Sequence, residues 1–187
     1  IMRNVSSDYP SICWGTRVFA AATAPGDVHY LVYFDFKQNA LVLVRVDHGN
    51  TTAEKVVSSV RPCGISVEIN PVTGTPAVSY RSRNSTPAFA YKQNGSWIQE
   101  YVDNNITEGY SSSLAFDRAG TPHLAYDDGS SFSNLMYATR NPDGTWTTEI
   151  ADHGIGGHLG NAGKNPQIKI TDEGVYIAHG DGFIFES

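Results

Sequence analysis

The stretch GTPHLAYDD (120–128) decides the fold, because three other segments of the chain repeat its pattern. These are GDVHYLVYFD (26–35), GTPAVSYRS (74–82) and EGVYIAHGD (173–181). Each combines a glycine turn with alternating apolar residues, then an aromatic residue or histidine followed closely by a polar one. Tyr33, Tyr80, Tyr126 and His179 fall at matching places, 47, 46 and 53 residues apart. A period of that length built from short strands indicates the blades of a β-propeller.

Each complete repeat is predicted to form four strands, A to D. In the third repeat these are SSLAFD (112–117), TPHLAYD (121–127), SNLMYATR (133–140) and GTWTTEIA (144–151). Glycine-containing hairpin turns separate A from B and C from D. The fourth repeat has only QIKIT (167–171), GVYIAHG (174–180) and GFIFES (182–187). We expect no helix, because no apolar stripe with a period of 3.6 residues is present.

The N-terminal segment MRNVSS (2–7) looks like a D strand and would complete the fourth blade. Pairing the first strand with the last would close the ring without an open seam. The predicted fold is therefore an all-β propeller, one domain over 1–187, with four blades of four antiparallel strands. The expected blades span about 10–61, 62–109, 110–161, and 162–187 together with 1–9. Two alternatives stay open: two chains that join into an eight-bladed ring, and a piece of a longer propeller.

Composition narrows the class of protein. With 187 residues, 40% hydrophobic and 17% charged, the chain can bury a core and is not of the disordered type. A net charge of −6 without a Lys/Arg cluster argues against a nucleic-acid partner. No apolar stretch approaches the roughly 20 residues of a membrane span. The sequence shows no signal peptide and begins with Ile1, so we expect a processed or trimmed product.

Sequons and cysteines favour a secreted or cell-surface glycoprotein. Five Asn-x-Ser/Thr sequons occur, at Asn4, Asn50, Asn84, Asn94 and Asn105. Cys13 and Cys63 each precede the first strand of a repeat. They predict either a disulfide that ties the first two blades together or two buried thiols. Cys-x-x-Cys is absent, so the cysteines give no zinc pattern.

Because successive strands alternate in direction, their connections sort onto two faces. The A–B and C–D turns form one face, which we call the turn face. The B–C and D–A connections form the other, which we call the loop face. The loop-face connections are longer, and they include both cysteines and the glycine-rich segment 152–164. Long loops on a rigid scaffold are where sites commonly lie, so we predict the ligand site on the loop face.

Candidate ligand residues gather at the ends of the B strands and in the D–A loops. The rings predicted to stack on a sugar are Trp14, Tyr33, Tyr80 and Tyr126. The carboxylates predicted to hydrogen-bond a ligand or hold a cation are Asp35, Asp127, Asp128 and Asp181. Arg81 would pair with an anionic group, and His179 lies on the same face. No cofactor is expected apart from a cation such as Ca²⁺ near the ring axis, whose ligands stay unassigned.

Catalytic chemistry has weaker support. Two loop-face carboxylates at a suitable separation would serve glycoside hydrolysis, but aspartates at strand ends commonly satisfy nearby backbone N–H groups. His153, His158 and His179 could bind a metal or transfer protons, although filling a polar loop is the more ordinary role. The glycine-rich run 154–160 is followed by no helix, so it is not a nucleotide-binding loop. We assign no catalytic residue.

The third repeat resembles a β-propeller repeat of secreted and surface proteins, mostly bacterial. The match rests on Ser113-Leu114-Ala115-Phe116-Asp117, Gly120-Thr121-Pro122-His123-Leu124-Ala125-Tyr126, Leu135-Met136-Tyr137-Ala138 and Gly144-Thr145-Trp146. The second repeat keeps Gly74-Thr75-Pro76, Tyr80, Ala90-Tyr91 and Gly95-Ser96-Trp97. The turn at 143–146 is also similar to a degenerate Asp-box of sialidase-like propellers, a structural motif in that family. Trp97 and Trp146 recur at the start of strand D, which marks them as structural residues.

The resemblance implies a propeller that binds glycan or protein at a cell surface, and it carries no catalytic residue across. We therefore expect a secreted or surface lectin-like module whose loop face recognises a glycan or a protein. One alternative is a carbohydrate-active enzyme that uses the loop-face aspartates. Another is a structural subunit of an extracellular assembly, formed by self-association or within a larger parent protein, which predicts broad apolar patches on the outer D strands.

Overall fold

The computed structural model describes residues 18–61, 63–106, 109, 111–130, 133–154 and 160–183. These ranges contain fourteen strands and no helix, so they hold no helix that could cross a membrane. The strands are β1 (Phe19–Ala24), β2 (Val28–Asp35), β3 (Ala40–Asp47), β4 (Asn50–Ser58), β5 (Ser66–Ile69), β6 (Pro76–Arg81), β7 (Pro87–Gln93), β8 (Ser96–Tyr101), β9 (Ser112–Phe116), β10 (Pro122–Asp127), β11 (Leu135–Arg140), β12 (Trp146–Asp152), β13 (Gly160–Thr171) and β14 (Gly174–Phe183).

Consecutive strands pair antiparallel and form the blades. Three sheets have four strands each, in the orders β1-β2-β3-β4, β5-β6-β7-β8 and β9-β10-β11-β12, and β13 pairs with β14 in a fourth. The innermost strands lie side by side in succession, β1 on β5, β5 on β9 and β9 on β13. The predicted all-β propeller of four blades is confirmed. Residues 2–7, the strand expected to close the ring, lie outside the described residues, so closure and the blade boundaries stay predictions.

Apolar side chains fill the gap between each pair of successive blades. Val32 and Leu41 of the first blade pack with Ile65 and Val78 of the second. Another cluster joins the second blade to the third, with the members Ala77, Phe89, Val102, Leu114, Leu124, Tyr126, Met136 and Ala138. A smaller cluster joins the third blade to the fourth, with the members Ala125, Leu135, Ala162, Ile168 and Ile177. The core is therefore a series of inter-blade layers rather than one central mass.

The alternation of side chains along each B strand distributes its residues between the two neighbouring blades. On β6, Val78 and Tyr80 belong to the layer shared with the first blade, whereas Ala77 belongs to the layer shared with the third. On β10, Leu124 and Tyr126 likewise face the preceding blade. The tyrosines that mark the second and third repeats, Tyr80 and Tyr126, therefore point into the blade interfaces.

Serine side chains join the innermost strands of neighbouring blades. The Ser66 hydroxyl on β5 accepts a hydrogen bond from the backbone N–H of Leu114 on β9 at 3.2 Å. The Ser113 hydroxyl on β9 accepts one from the N–H of Ile168 on β13, also at 3.2 Å. Ser66 and Ser113 occupy equivalent places in their repeats, so the same link fixes two successive blade junctions.

The fourth blade departs from the strands expected from its sequence. The predicted A strand at 167–171 begins earlier, at Gly160, with shifts of register near Lys164. A Cβ on Gly163 would lie 2.9 Å from the Cα of Leu135, so only glycine lets this strand approach β11 so closely. The predicted break before 182 is wrong, because β14 continues to Phe183. Residues 184–187 lie outside the described ranges.

Candidate functional site

On the loop face, the structure buries the tyrosines that sequence reasoning placed against a ligand. Tyr80 is 2% exposed and Tyr126 is fully buried. The Tyr80 hydroxyl donates to the side-chain oxygen of Gln99 at 3.1 Å, and the Tyr126 hydroxyl donates to Asp103 at 3.0 Å. Burial raises the pKa of both phenols. Their rings are covered by protein and offer no face on which a sugar could stack.

Arg81 and Asp127 lie beside these rings and are equally covered. Arg81 is 7% exposed and donates to the Ser85 hydroxyl at 2.8 Å. Asp127 is fully buried and accepts from both the backbone N–H, at 2.7 Å, and the hydroxyl of Ser111. The cavity that they line with Tyr80 and Tyr126 measures only about 10 Å³. Such a space has room for no more than about one water molecule.

Asp35 and Asp128 both organise their own connections. Asp35 accepts from the backbone N–H groups of Lys37 and Gln38, at 2.9 and 3.0 Å, within a short turn. The Gln38 hydrogen bonds lower the pKa of Asp35. Asp128 accepts four hydrogen bonds from Ser130 and Asn134; its burial acts to raise the pKa, but these bonds outweigh it and the pKa is lowered. Both carboxylates therefore stay ionised, which suits structural acceptors better than a general acid.

His179 is also engaged within the protein. Its Nδ1 accepts from the backbone N–H of Gly163 at 3.2 Å, and its Nε2 lies 3.2 Å from Asp152. His153 contacts the amide oxygen of Asn134 at 3.2 Å. Tyr33 is half-buried on the side of β2 opposite Val32 and Phe34. Within the described ranges, no three His, Cys, Asp or Glu side chains gather in a way that could hold a metal ion.

Several predicted residues fall outside the described part of the chain. Trp14, Cys13, His158 and Asn4 lie in ranges that the structure does not describe, as does the side chain of Asp181. Cys63 is fully buried, and the described ranges contain no free cysteine. The other sequon asparagines are exposed to solvent; they are Asn50, Asn84, Asn94 and Asn105.

A much larger opening lies on the turn face, between the second and third blades. This cleft, which we call the turn-face cleft, has a volume of about 260 Å³. Its inner rim is built by the A–B turns of both blades and its outer rim by the ends of their C strands. The lining residues are Asn70, Thr73, Thr75, Ala77, Phe89, Tyr91, Lys92, Gln93, Phe116, Gly120, Pro122 and Arg140. Aromatic walls with a few polar groups are typical of ligand sites.

An arginine on the outer rim of this cleft pairs with a carboxylate of the second blade that lies outside the cleft lining. Arg140, at the end of β11, donates through Nε and Nη2 to the two carboxylate oxygens of Glu100 on β8, each at 2.7 Å. The indole Nε1 of Trp146 donates to the same carboxylate at 3.1 Å. The guanidinium carbon lies 5.3 Å from the ring centre of Tyr91. These contacts hold a cation, a carboxylate and an aromatic ring in fixed positions.

The electrostatics keep this pair charged. Burial acts to raise the pKa of Glu100, but the hydrogen bonds and charge of Arg140 outweigh it, so the pKa lies below its usual range. The hydrogen bond to Glu100 raises the pKa of Arg140. The Arg140 side chain is 23% exposed and that of Glu100 is 16% exposed. The guanidinium has five N–H donors, so donors beyond the pair with Glu100 remain for a molecule in the cleft.

A related but different group lies at the junction of the first and second blades. Lys92 forms an ion pair with Glu54 at 2.6 Å and lies 5.5 Å from the ring centre of Trp97. Lys92, Glu54 and Trp97 hold the repeat positions of Arg140, Glu100 and Trp146. The recurrence of a cation at the end of strand C and a glutamate in strand D is a sequence signal that our loop-face prediction did not use. Here, however, the indole N–H of Trp97 has no hydrogen-bond acceptor.

No protein-family model and no curated protein matches the sequence. Solved structures match it by fold. A variant of Aleuria aurantia lectin in complex with Fucα1-6GlcNAc matches with a TM-score of 0.59 at 11% identity, over 86% of this chain and 55% of that one. The same lectin has also been solved with α-methyl-L-fucoside. The chain spans about half the length of these neighbours.

Two further structures show the same likeness. One is a triple arginine-to-alanine variant of AofleA from Arthrobotrys oligospora, with a TM-score of 0.58 at 14% identity, over 81% of this chain and 45% of that one. The other is an α-L-arabinofuranosidase of Fusarium graminearum in complex with arabinobiose, with a TM-score of 0.57 at 11% identity, over 82% and 52%. At these identities the likeness shows the β-propeller fold alone.

Proposed function

We propose that this protein is a carbohydrate-binding β-propeller module whose ligand lies in the turn-face cleft. The observation that carries the proposal is the bidentate Arg140–Glu100 pair beside the half-buried ring of Tyr91. Sugar hydroxyls are both donors and acceptors. A guanidinium can donate to their oxygens and a carboxylate can accept their protons, while the C–H faces of the sugar ring pack on aromatic side chains.

The charge of the site favours a neutral glycan. Arg140 is balanced by Glu100 and Lys92 by Glu54, so the cleft presents paired charges rather than a net positive pocket. An acidic ligand would find both cations of the outer rim already neutralised by a carboxylate. Arg140 and Tyr91 on the turn face therefore take the place of the loop-face residues that the sequence predicted as ligand contacts.

The test is binding to a printed glycan array, followed by calorimetry, for the wild type and for Arg140→Ala. We expect the variant to bind at least about tenfold more weakly, because a charge-assisted contact is lost. Arg45→Ala is the control, since Arg45 also lies on a C strand, that of the first blade, and pairs with Asp47 away from the cleft lining. Arg45→Ala should bind like the wild type.

Arg140→Lys is a second variant that distinguishes a loss of binding from a loss of folding. It keeps the positive charge that Lys92 supplies at the equivalent position, but it loses the bidentate geometry. Circular dichroism and the melting temperature establish that each variant is folded. If Arg140→Ala and Arg140→Lys both bind the array as tightly as the wild type, the cleft is not the ligand site and the proposal is wrong.

A glycosidase has less support. The described loop-face aspartates Asp35, Asp127 and Asp128 each accept hydrogen bonds from neighbouring protein groups. A purely structural subunit also has less support, because the outer strands β8 and β12 each expose a single large apolar residue, Tyr101 and Ile150, and no broad apolar patch.

We also propose a secreted or surface location with a Cys13–Cys63 disulfide. Four exposed sequon asparagines and the buried Cys63 support it. Non-reducing peptide mass mapping of protein from a secreting host tests both features. A linked Cys13–Cys63 peptide and glycosylated sequon peptides are expected. Two free thiols together with unmodified asparagines would argue for an intracellular protein.

A further inference from the structure

The turn-face cleft is open and is not limited to one sugar ring. A closed cavity of about 150 Å³ binds benzene, which has six heavy atoms, so a cleft of about 260 Å³ holds roughly one monosaccharide. Because the cleft is open to solvent on one side, a second, linked ring can extend from the first.

The wall of the cleft changes chemistry between its two rims. The outer rim, at the ends of the C strands, carries Arg140, Tyr91 and Lys92. The inner rim, at the A–B turns, is formed by the side chains of Asn70, Thr73 and Thr75. Phe89 and Phe116 line the cleft as well and give it apolar surface. Two separate polar rims with apolar surface in the lining match two linked sugar rings better than one.

The inner rim presents a defined pair of hydroxyls. The Thr73 and Thr75 hydroxyl oxygens lie 2.7 Å apart, so one donates its proton to the other. The second hydroxyl proton remains to be donated to a ligand oxygen. Asn70 accepts from the N–H groups of Val72 and Thr73, at 2.9 and 3.1 Å, which fixes the turn that carries this pair.

The two blades are also tied together at this rim. The amide nitrogen of Asn70 donates to the carbonyl oxygen of Gly120 on the third blade at 3.1 Å. A Cβ on Gly120 would lie 2.9 Å from the Asn70 side chain, so the two turns are already in close contact. The inner rim is therefore built before any ligand arrives, which lowers the cost of ordering it on binding.

We infer that the turn-face cleft is an extended site for a disaccharide, with one sugar against Arg140 and the second against the Thr73–Thr75 hydroxyl pair. This inference rests on the proposed function and specifies its ligand as two linked sugars rather than one. The outer rim provides the charged and aromatic contacts to the first sugar, and the inner rim forms hydrogen bonds with the hydroxyls of the second sugar.

The experiment uses a printed array that holds each monosaccharide beside disaccharides that contain it, with α-methyl-L-fucoside and Fucα1-6GlcNAc as the first pair for calorimetry. We expect a disaccharide to bind at least about fivefold more tightly than its monosaccharide, as one or two added hydrogen bonds would give. The double variant Thr73→Ala with Thr75→Ala should lose that gain and keep the affinity for the monosaccharide.

The control is Thr147→Ala with Thr148→Ala on β12, where both residues are exposed and belong neither to the cleft lining nor to a sequon. Equal affinity of the wild type for every monosaccharide and its disaccharides would overturn the extended site and leave the proposed function standing. So would a Thr73/Thr75 variant that weakens both sugars by the same factor. Absence of binding to any sugar on the array would overturn the proposed function and this inference with it.

Discussion

The second and third blades meet on both faces of the propeller, and the two junctions differ in what they leave open. On the loop face, Tyr126 and Asp127 are sealed around a cavity of about 10 Å³. On the turn face, the same blades leave a cleft of about 260 Å³. The long D–A loop causes the difference. Its Gly109 lies so close to the third blade that a Cβ would come within 2.8 Å of the Asp127 carbonyl oxygen.

A long loop can therefore fill a junction between blades as readily as it can form a binding site. The A–B and C–D turns are too short to fold over the gap beside them, so the gap stays open. Four experiments test this contrast, beginning with the one expected to have the largest effect.

Asp127→Ala tests whether the loop-face junction is a packing element. The change leaves the buried N–H of Ser111 without its acceptor, and we expect the free energy of unfolding to fall by about 2–3 kcal/mol. Urea denaturation measures it. Asp143→Ala, in an exposed turn, should cost only a small part of that. An Asp127 variant as stable as the wild type would show that the loop face is not held together as described.

Gly120→Ala tests how tightly the A–B turns pack at the inner rim of the turn-face cleft. Gly120 has φ of +82°, and its new methyl group would meet Asn70 at 2.9 Å, so we expect a loss of about 2 kcal/mol. Gly74→Ala has φ of +67° but open space around it, and should lose about 1 kcal/mol. Denaturation curves of the two variants give the difference. Equal losses in the free energy of unfolding would mean that the contact with Asn70 does not add to the cost of the Gly120 substitution.

Acidification tests the Glu100–Arg140 pair. Because the pKa of Glu100 is lowered in the folded state, the pair contributes stability above the ordinary glutamate pKa, and this contribution disappears as the pH falls through the lower folded value. We expect the stability that this group contributes to be lost in that window. Glu100→Gln removes the titration, so the wild type should lose more stability than the variant between pH 5 and pH 3. Parallel curves for both proteins would contradict the assignment.

The smallest expected change in stability distinguishes the junction of the first and second blades from that of the second and third. Trp146→Phe removes the donor to Glu100 and should cost about 0.5–1 kcal/mol. Trp97→Phe removes a buried N–H that has no acceptor, and should leave the stability nearly unchanged. Melting temperatures compare the pair. A larger loss of stability for Trp97→Phe than for Trp146→Phe would contradict the hydrogen bonding described here for the two indoles.

The repeat made the blades predictable, since its turn residues and alternating apolar residues are local signals. The burial of Tyr80 and Tyr126 was also readable in principle. Each lies two residues after a core residue, Val78 or Leu124, and therefore on the same side of its strand. The loop-face prediction instead placed them by their position at the end of the B strand.

The cleft could not be predicted in the same way. Glu100 and Arg140 lie 40 residues apart, and each looks like an ordinary solvent-facing charge in its own strand. Their pairing depends on how one blade is placed against the next, which no single repeat encodes. Only the parallel between Glu54 with Lys92 and Glu100 with Arg140 hinted at it.

The serine links between innermost strands have a consequence for how such a chain can change. Ser66 and Ser113 each accept a hydrogen bond from a backbone N–H of the following blade, so the second and third blades each carry the acceptor that joins them to the next one. A gene segment that encodes one such unit can be duplicated or deleted as a whole, and the joint between neighbours is reproduced without new mutations. Blade number is then a quantity that recombination can alter in single steps.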